Sequence, residues 1–432
     1  MSWKEVTIGS FLRERPDRIE PNQANFLGLK RIEKIDFSGN IYLADNTSTR
    51  TNMILVKPGD LVISGINVAK GALAVYEGKE DVLATIHYSS YEFDKSVIDI
   101  EYLKWFLISN KFMNILKEQV GGGIKTELKP KKFLSLKIKL PDINLQKEIA
   151  KKINNVYDEI ELLKVTNEEN YELISKLRQS ILQEAVQGKL VPQDPNDEPA
   201  SVLLERIREE KERLIKEGKI KKAKPLPSIT EDEIPYELPE GWEWVRLGEI
   251  GETHTGTTPS TKHPEYFNGE IPFIKPADIT DKGINYNNES LTLLGVNKGR
   301  LIPKDSVMMV CIGGSIGKCY YTDRDCSCNQ QINAITAYGN MHGKFLYYFL
   351  SSPYFYKQVL ARATGSATPI INKNKWSNIL FPLPPLSEQK RIVEKVDQLM
   401  DLCDELEKNI EQSKKDSELL MQSVLQEVFK EA

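Results

Sequence analysis

The sequence is poor in the residues from which most catalytic and metal centres are built. Its four histidines, His87, His254, His263 and His342, show no metal-ligand spacing. Of its five cysteines, Cys311, Cys319, Cys326 and Cys328 lie close together, but they lack paired C-x-x-C spacing and have no counterparts in the first half of the chain. They read as core or turn residues, and five cysteines in a chain this long do not make a secreted disulfide framework. No Gly-rich dinucleotide fingerprint, G-x-S-x-G elbow or H-E-x-x-H is present. Nor is there an Asn/Asp-Pro-Pro-aromatic motif of the kind amino-methyltransferases use around a flipped base. The run Ile312-Gly313-Gly314-Ser315-Ile316-Gly317-Lys318-Cys319 comes nearest to a phosphate loop. It is one residue short and has Cys where Ser or Thr would hold the metal, so it reads as a tight turn between strands. No catalytic residue, cofactor site or metal site is expected. No run of about 18 apolar residues exists, and Met1-Ser2-Trp3-Lys4-Glu5 lacks a basic-then-apolar layout. The expectation is a cytoplasmic chain with no membrane role.

Excess positive charge is also lacking: the 432 residues carry a formal charge of −4. The distribution matters more than the total. Between Glu101 and Lys139 lie nine lysines against three glutamates, and between Met341 and Leu380 lie five basic residues and no acidic one. Basic surface therefore recurs at the same place in each half of an acidic chain.

What the chain has in abundance is self-similarity. Leu140-Pro141-Asp142-Ile143-Asn144-Leu145-Gln146-Lys147-Glu148-Ile149 returns as Leu383-Pro384-Pro385-Leu386-Ser387-Glu388-Gln389-Lys390-Arg391-Ile392, offset by 243 residues. The offset still holds where Ser180-Ile181-Leu182-Gln183-Glu184 matches Ser423-Val424-Leu425-Gln426-Glu427. Apolar residues recur in steps of 4 and 3 from Ile149 through Ile153, Val156, Ile160 and Leu163 to Ile181, and from Ile392 to Val424 in the second copy. Such a seam calls for a coiled-coil partner, and the simplest partner for each copy is the other. Asn167, Asn170, Ser413 and Ser417 interrupt the seam, where polar groups fix register. Asn144 and Ser387 are the expected N-caps, and Gly188 is the expected C-cap of the first helix.

Before each helix lies a mixed lobe. In the first, β-type runs at 30–35, 51–56, 60–64 and 72–76 precede a helix around 101–118. In the second, Trp242-Glu243-Trp244-Val245 echoes Trp3-Lys4-Glu5-Val6, strand-like runs fall at 271–274 and 306–310, and a helix is expected near 343–361. A short helix runs from about Glu198-Pro199 to Gly218, followed by a linker. The fold class is α+β: two mixed α/β lobes separated by a pair of long antiparallel coiled-coil helices, with an internal pseudo-twofold repeat. The divisions are 1–140 (first lobe), 141–188 (first long helix), 189–241 (connector with short helix and linker), 242–382 (second lobe) and 383–432 (second long helix).

Two basic lobes joined by a helical pair suit a ligand with a repeating negative backbone, which makes double-stranded DNA the expected partner. Candidate phosphate contacts are Lys125, Lys129, Lys131, Lys132, Arg362, Lys373 and Lys375. Candidate base readers are Thr126, Asn329, Gln330, Gln331, Ser366 and Thr368. The competing reading is a helical scaffold or adaptor with no DNA role, which would not need matched basic segments beside its lobes.

The pattern resembles the specificity subunit of type I restriction-modification systems. The resemblance rests on residues 383–393 (Leu-Pro-Pro-Leu-Ser-Glu-Gln-Lys-Arg-Ile-Val), 188–200 (Gly-Lys-Leu-Val-Pro-Gln-Asp-Pro-Asn-Asp-Glu-Pro-Ala) and 238–249 (Leu-Pro-Glu-Gly-Trp-Glu-Trp-Val-Arg-Leu-Gly-Glu), and with the repeat plan it covers the whole chain. The first copy departs from it, with Asp142-Ile143-Asn144-Leu145 in place of Pro-Leu-Ser-Glu. The resemblance implies two target-recognition domains, each reading one half of a split, asymmetric DNA site. It implies helices that act as spacer and dock two methyltransferase (modification) subunits, with restriction/translocase subunits outside. S-adenosylmethionine, ATP and Mg²⁺ would then belong to those partners, and this chain would be non-catalytic.

Overall fold

The computed structural model describes residues 3–36, 39–44, 50–66, 72–120, 129–222 and 224–430. It comprises two units, Met1–Glu169 with Ile410–Ala432, and Asn170–Asn409. Each holds a β-rich head and part of both long helices.

In the first unit, strand Lys4–Thr7 pairs antiparallel with Lys137–Leu140, the strand that leads into the first long helix. A four-stranded antiparallel sheet follows in the order Leu12–Glu14, Tyr88–Phe93, Leu61–Ser64, Leu73–Val75. Helices Ile100–Ile108, Asn110–Val120 and Pro130–Leu134 complete the scaffold. The second unit repeats every one of these parts. Strand Glu243–Arg246 pairs with Leu380–Leu383, and the four-stranded sheet runs Gly251–Thr255, Ile332–Ala337, Val307–Val310, Cys319–Tyr321. Its helices are Gly343–Leu350, Pro353–Arg362 and Lys373–Ser377. The heads differ in what is added. The first has a five-stranded sheet (Arg18–Ile19, Met53–Val56, Val82–Thr85, Arg31–Ile35, Ile41–Ala44), whereas the second has a three-stranded sheet and a two-stranded ribbon.

The helices expected over 101–118 and 343–361 are each two helices. Ser352 accepts a hydrogen bond from the Phe355 N–H, and Pro353 occupies the first turn of the new helix. Serine capping followed by proline starts a helix and cannot sit inside one. Ser109 plays the same part for Phe112. The short helix of the connector spans Ala200–Lys216.

The long helices span Ile143–Val186 and Leu386–Val428, 44 and 43 residues, each about 65 Å at ~1.5 Å per residue. Gly188 follows the first in a left-handed conformation (φ 68°), as its C-cap role requires. The caps at the start are not the expected ones. Asp142 accepts from the Asn144 and Leu145 N–H groups at 3.0 and 3.1 Å, so it caps the first helix in place of Asn144. Ser387 lies inside the second helix and donates to Asp197 at 2.6 Å, joining the connector to it. Aspartate two residues earlier reaches the exposed N–H groups that Asn144, already helical, cannot.

The two helices pack together, and one column of each is buried: Ile153, Ile160, Asn167, Ile174 and Ile181, and Val396, Cys403, Ile410 and Ser417. The 243-residue offset maps these columns onto each other. The other column of the expected seam is buried only where it enters the heads, at Ile149 and Ile392; further along, Leu163 and Leu406 are 46% and 39% exposed and Leu177 and Leu420 44% and 50% exposed. In the first unit, Asn167 Nδ2 donates to Ser413 Oγ at 3.4 Å. In the second, Arg178 pairs with Asp404 and Glu407.

Each head grips the start of one long helix and the end of the other. In the first unit, Ile149, Ala150 and Ile153 enter the core formed by Tyr102, Phe106, Phe112 and Phe133. Phe429 meets Tyr102 and Phe106 edge-on at 5.5 and 5.6 Å. In the second, Trp242 Nε1 donates to Glu388 at 2.8 Å, and Tyr236 Oη donates to the Val186 carbonyl at 2.8 Å. Among the described residues no helix is long and apolar enough to cross a membrane.

Candidate nucleic-acid interface

The strand registers identify equivalent positions in the two heads. Ser64 faces Tyr88 in the first sheet, and Val310 faces Ile332 in the second. One step beyond, the Gly65 N–H donates to the His87 carbonyl at 2.9 Å, and the Cys311 N–H donates to the Gln331 carbonyl at 2.8 Å. Residues 65–66 and 86–87 of the first head therefore stand where 311–312 and 330–331 stand in the second. Loops at one end of a rigid sheet are where fixed side chains can meet a ligand.

In the second head this end gathers four loops. Thr258 Oγ1 donates to Gln330 Oε1 at 2.6 Å. The Gly313 N–H donates to the Pro369 carbonyl at 2.8 Å, the Ile371 N–H to the Cys311 carbonyl at 3.0 Å, and Ile312 bridges Ile370. Thr364 and Ile370 exchange both backbone bonds, closing a loop whose exposed tip carries Ser366 and Thr368. Gly365 sits at φ 92°, where an added Cβ would lie 2.5 Å from the Thr368 carbonyl, so the loop needs glycine there. The run Ile312–Cys319 is the tight turn joining strands Val307–Val310 and Cys319–Tyr321.

Of the candidate readers in this head, Gln330, Gln331, Ser366 and Thr368 are exposed along this edge. Asn329 is buried, and its amide shapes the turn: it accepts from the Gln331 N–H at 3.1 Å and donates to Gln331 Oε1 at 3.0 Å. Among the basic candidates, Lys373 is exposed beside the Asn372 cap. Lys375 donates to the Arg362 carbonyl at 3.0 Å, and the Arg362 guanidinium is held by the Gln358 side chain. Arg300 was not singled out by sequence, yet it belongs here. Burial, aided by the positive charge of Arg300 and Lys373, lowers the pKa of His254 to about 4. That histidine is neutral near pH 7, and the field around it is positive.

In the first head, Lys125 and Thr126 lie outside the described residues. Lys129, Lys131 and Lys132 are exposed, Lys129 as the N-cap of helix Pro130–Leu134 and the others within it. This helix is the counterpart of Lys373–Ser377. Sequence reasoning passed over Ile66, Ile86 and His87, because nothing in the chain shows which turns a sheet will bring together.

The cysteines of the second head are free, and burial raises the thiol pKa of Cys311 to about 11 and of Cys326 to about 12, so both stay protonated. Among the described residues no group of His, Cys, Asp and Glu could hold a metal ion.

Each head is fastened to its long helix by the same residue of the repeated motif. Gln146 is fully buried; its Oε1 accepts from the Asp99 N–H at 2.9 Å, and its Nε2 donates to the Val97 and Pro141 carbonyls. Gln389, also fully buried, accepts from the His342 N–H at 3.2 Å and donates to the Pro384 carbonyl at 3.0 Å. Asp99 and His342 are the N-cap positions of equivalent helices.

A family model described as the type I restriction modification DNA specificity domain matches residues 24–170 and 239–413, and the chain belongs to this family. The chain is 36% identical over 251 residues to the type I restriction enzyme EcoAI specificity subunit of Escherichia coli, a match covering 56% of this chain and 42% of that one. It is 24% identical over 422 residues to the HindI specificity subunit of Haemophilus influenzae, covering 88% and 90%. The match to the EcoAI and EcoEI subunits thus spans only about two fifths of their length. In fold it is similar to the HsdS subunit from Thermoanaerobacter tengcongensis, with a TM-score of 0.61 at 17% identity over 99% of this chain and 96% of that one. It is similar also to a chain from a type I restriction-modification assembly, with a TM-score of 0.67 at 17% identity over 99% and 97%.

Proposed function

We propose that this chain is the non-catalytic DNA-specificity subunit of a type I restriction-modification complex. The observation that carries the reading is the duplicated edge: the same end of the same four-stranded sheet, flanked by the same short basic helix, built twice with different side chains. Residues 1–140 and 242–382 act as target-recognition domains, each reading one half of a bipartite, asymmetric site in double-stranded DNA. Lys129, Lys131, Lys132, Lys373 and Arg300 neutralise phosphates, which sets register, and loop amides and hydroxyls meet base edges. The connector, 189–241, joins the halves. The long helices, 141–188 and 383–432, are the spacer, and two methyltransferase subunits dock on them. The repeated exposed leucines, Leu163 with Leu406 and Leu177 with Leu420, support two equivalent docking sites. Restriction/translocase subunits join through these partners, which carry S-adenosylmethionine, ATP and Mg²⁺.

The test is an exchange. Replacing residues 1–140 by the corresponding lobe of a relative should change one half of the methylated sequence found in cells and leave the other half unaltered. If both halves changed, the modular reading would fail. Binding of the parent complex should weaken about five hundredfold between about 50 and about 200 mM salt if Lys129, Lys131, Lys132, Lys373 and Arg300 each neutralise one phosphate. An adaptor without a DNA role would show no such dependence.

A further inference from the structure

We infer that the first head reads its half-site through thymine methyl groups, using Ile86 and Ile66, where the second head reads with glutamine amides. The inference rests on the two-headed reading above and adds the chemistry of one half-site. The registers put Ile86 where Gln330 stands and Ile66 where Ile312 stands. Ile86 is 54% exposed and Ile66 is 50% exposed, on turns whose backbones are tied together by the Gly65–His87 hydrogen bond. Both are β-branched, and the strands they adjoin, Leu61–Ser64 and Tyr88–Phe93, are the two inner strands of their sheet, which holds the turns in place before any ligand arrives. Two isoleucines left half in water at the tips of a rigid sheet contribute little to the fold. Ile312, the second head's counterpart of Ile66, is less exposed, and its backbone is tied to Ile370 by a β-bridge.

The duplex offers these side chains one matching feature. In the major groove each base pair presents hydrogen-bonding groups, and only thymine adds an apolar one, the C5 methyl. An isoleucine facing cytosine or guanine would strip water from polar edges and return nothing. The same slot filled by glutamine, as at Gln330, favours a donor-and-acceptor edge such as adenine. The half-site of the first head is thus expected to contain thymines at the positions Ile86 and Ile66 reach.

The experiment uses the full-length chain, co-expressed with its modification subunits, and the site mapped from cellular methylation. Each thymine of one half-site is replaced by deoxyuridine, which keeps every hydrogen bond and removes only the methyl. Affinity should fall about fourfold for each contacted methyl, the worth of one buried methylene, in the first head's half-site. The variant I86A should bind the thymine duplex about fourfold more weakly than the parent, and should lose the response at the one thymine that Ile86 contacts while keeping the response at the thymine that Ile66 contacts. Because Ile86 is half exposed, I86A should unfold at the parent's denaturant concentration. Tight, sequence-specific binding that deoxyuridine does not weaken in either half-site would overturn the inference and leave the DNA-specificity reading standing. So would an I86A variant that keeps the parent's full sensitivity. A complex that binds no duplex specifically would instead sink the reading on which the inference rests.

Discussion

The two heads share a frame and differ in almost everything attached to it. In both, a strand from the beginning of the head pairs with the strand that enters the long helix, and the four-stranded sheets have the same order. Yet the side chains that anchor those sheets are unlike. In the first, buried Asp60 takes hydrogen bonds from Arg15, Ser90 and the Lys57 N–H. In the second, the same slot holds Ser306, bonded to Thr336 and approached by Thr322. Arg15 extends the ladder beside Ser90 where His254 pairs with Ala334. Backbone pairing tolerates these exchanges, because it asks only that each buried polar group find a partner. What recurs unchanged is the joint to the long helix, Gln146 and Gln389. The joint is thus common to the two halves, and the edge is not.

That contrast is most open to attack at the joints, where the largest effect is expected. Replacing Gln146 by leucine keeps the volume and leaves the Asp99 N–H and two carbonyls, of Val97 and Pro141, without their partner. At roughly 1 kcal/mol for each buried group left unmet, the loss should approach 3 kcal/mol. Gln389→Leu strands one N–H and one carbonyl, so about 2 kcal/mol is expected. Amide hydrogen exchange in urea, read at Trp105 in the first unit and Trp376 in the second, would resolve the two. Losses in the reverse order would mean that the joints are not the same device.

An intermediate effect separates the units by pH. In the second unit, Arg246 is almost wholly buried and pairs with Glu233 at 2.8 Å, binding the linker to the strand that opens the head. The Arg246 guanidinium, helped by the Thr230 N–H, lowers the Glu233 pKa to about 2 from 4.5. A carboxylate whose folded pKa is depressed adds stability that is present above its unfolded pKa and lost as pH falls through the folded one. The second unit should therefore weaken by about 2 kcal/mol between about pH 4.5 and 2, after allowance for the partial exposure of Glu233. Thr7 occupies the place of Arg246 in the first head, so no ion pair forms at that position there. Glu233→Gln should flatten the acid limb of the second unit alone. A limb that stays steep would place the acid-sensitive group elsewhere.

The long helices were legible because two repeats reinforced each other: a 3.5-residue apolar period within each copy and a 243-residue offset between copies. The period identified the column from Ile153 to Ile181 but also assigned Leu163 and Leu177 to the seam, since apolar spacing does not distinguish a face buried in this chain from one left open to a partner. The caps were misassigned by one or two residues, which is the usual resolution of such signals. The helix breaks at Ser109 and Ser352-Pro353 were readable from capping chemistry and went unread. In the heads the basic segments were plain. The edge was not, because Ile86 and Gln330 become equivalent only through strand pairing over tens of residues. Gln146 and Gln389 were in view from the start as part of the repeated motif. A glutamine kept amid an apolar repeat was the sign that it serves the joint.

The smallest expected effect tests whether the seam is a matched pair in energy as well as in geometry. Asn167 and Ile410 occupy the same place in the repeat and the same buried column, so the molecule already contains both the polar and the apolar version of one site. Ile160 and Ile174 lie one heptad to either side of Asn167, which shows that the column accommodates isoleucine. Asn167→Ile would exchange a long hydrogen bond to Ser413 for apolar burial, and Ser413 is only half-buried, so its hydroxyl can turn to water. The first unit should gain about 1 kcal/mol, the usual sign when a polar seam residue is replaced. Denaturation of the variant measures this directly. A loss would mean that the Asn167–Ser413 contact outweighs a buried isoleucine, and that the two copies of the helix, though alike in pattern and within one residue in length, are not interchangeable where they touch.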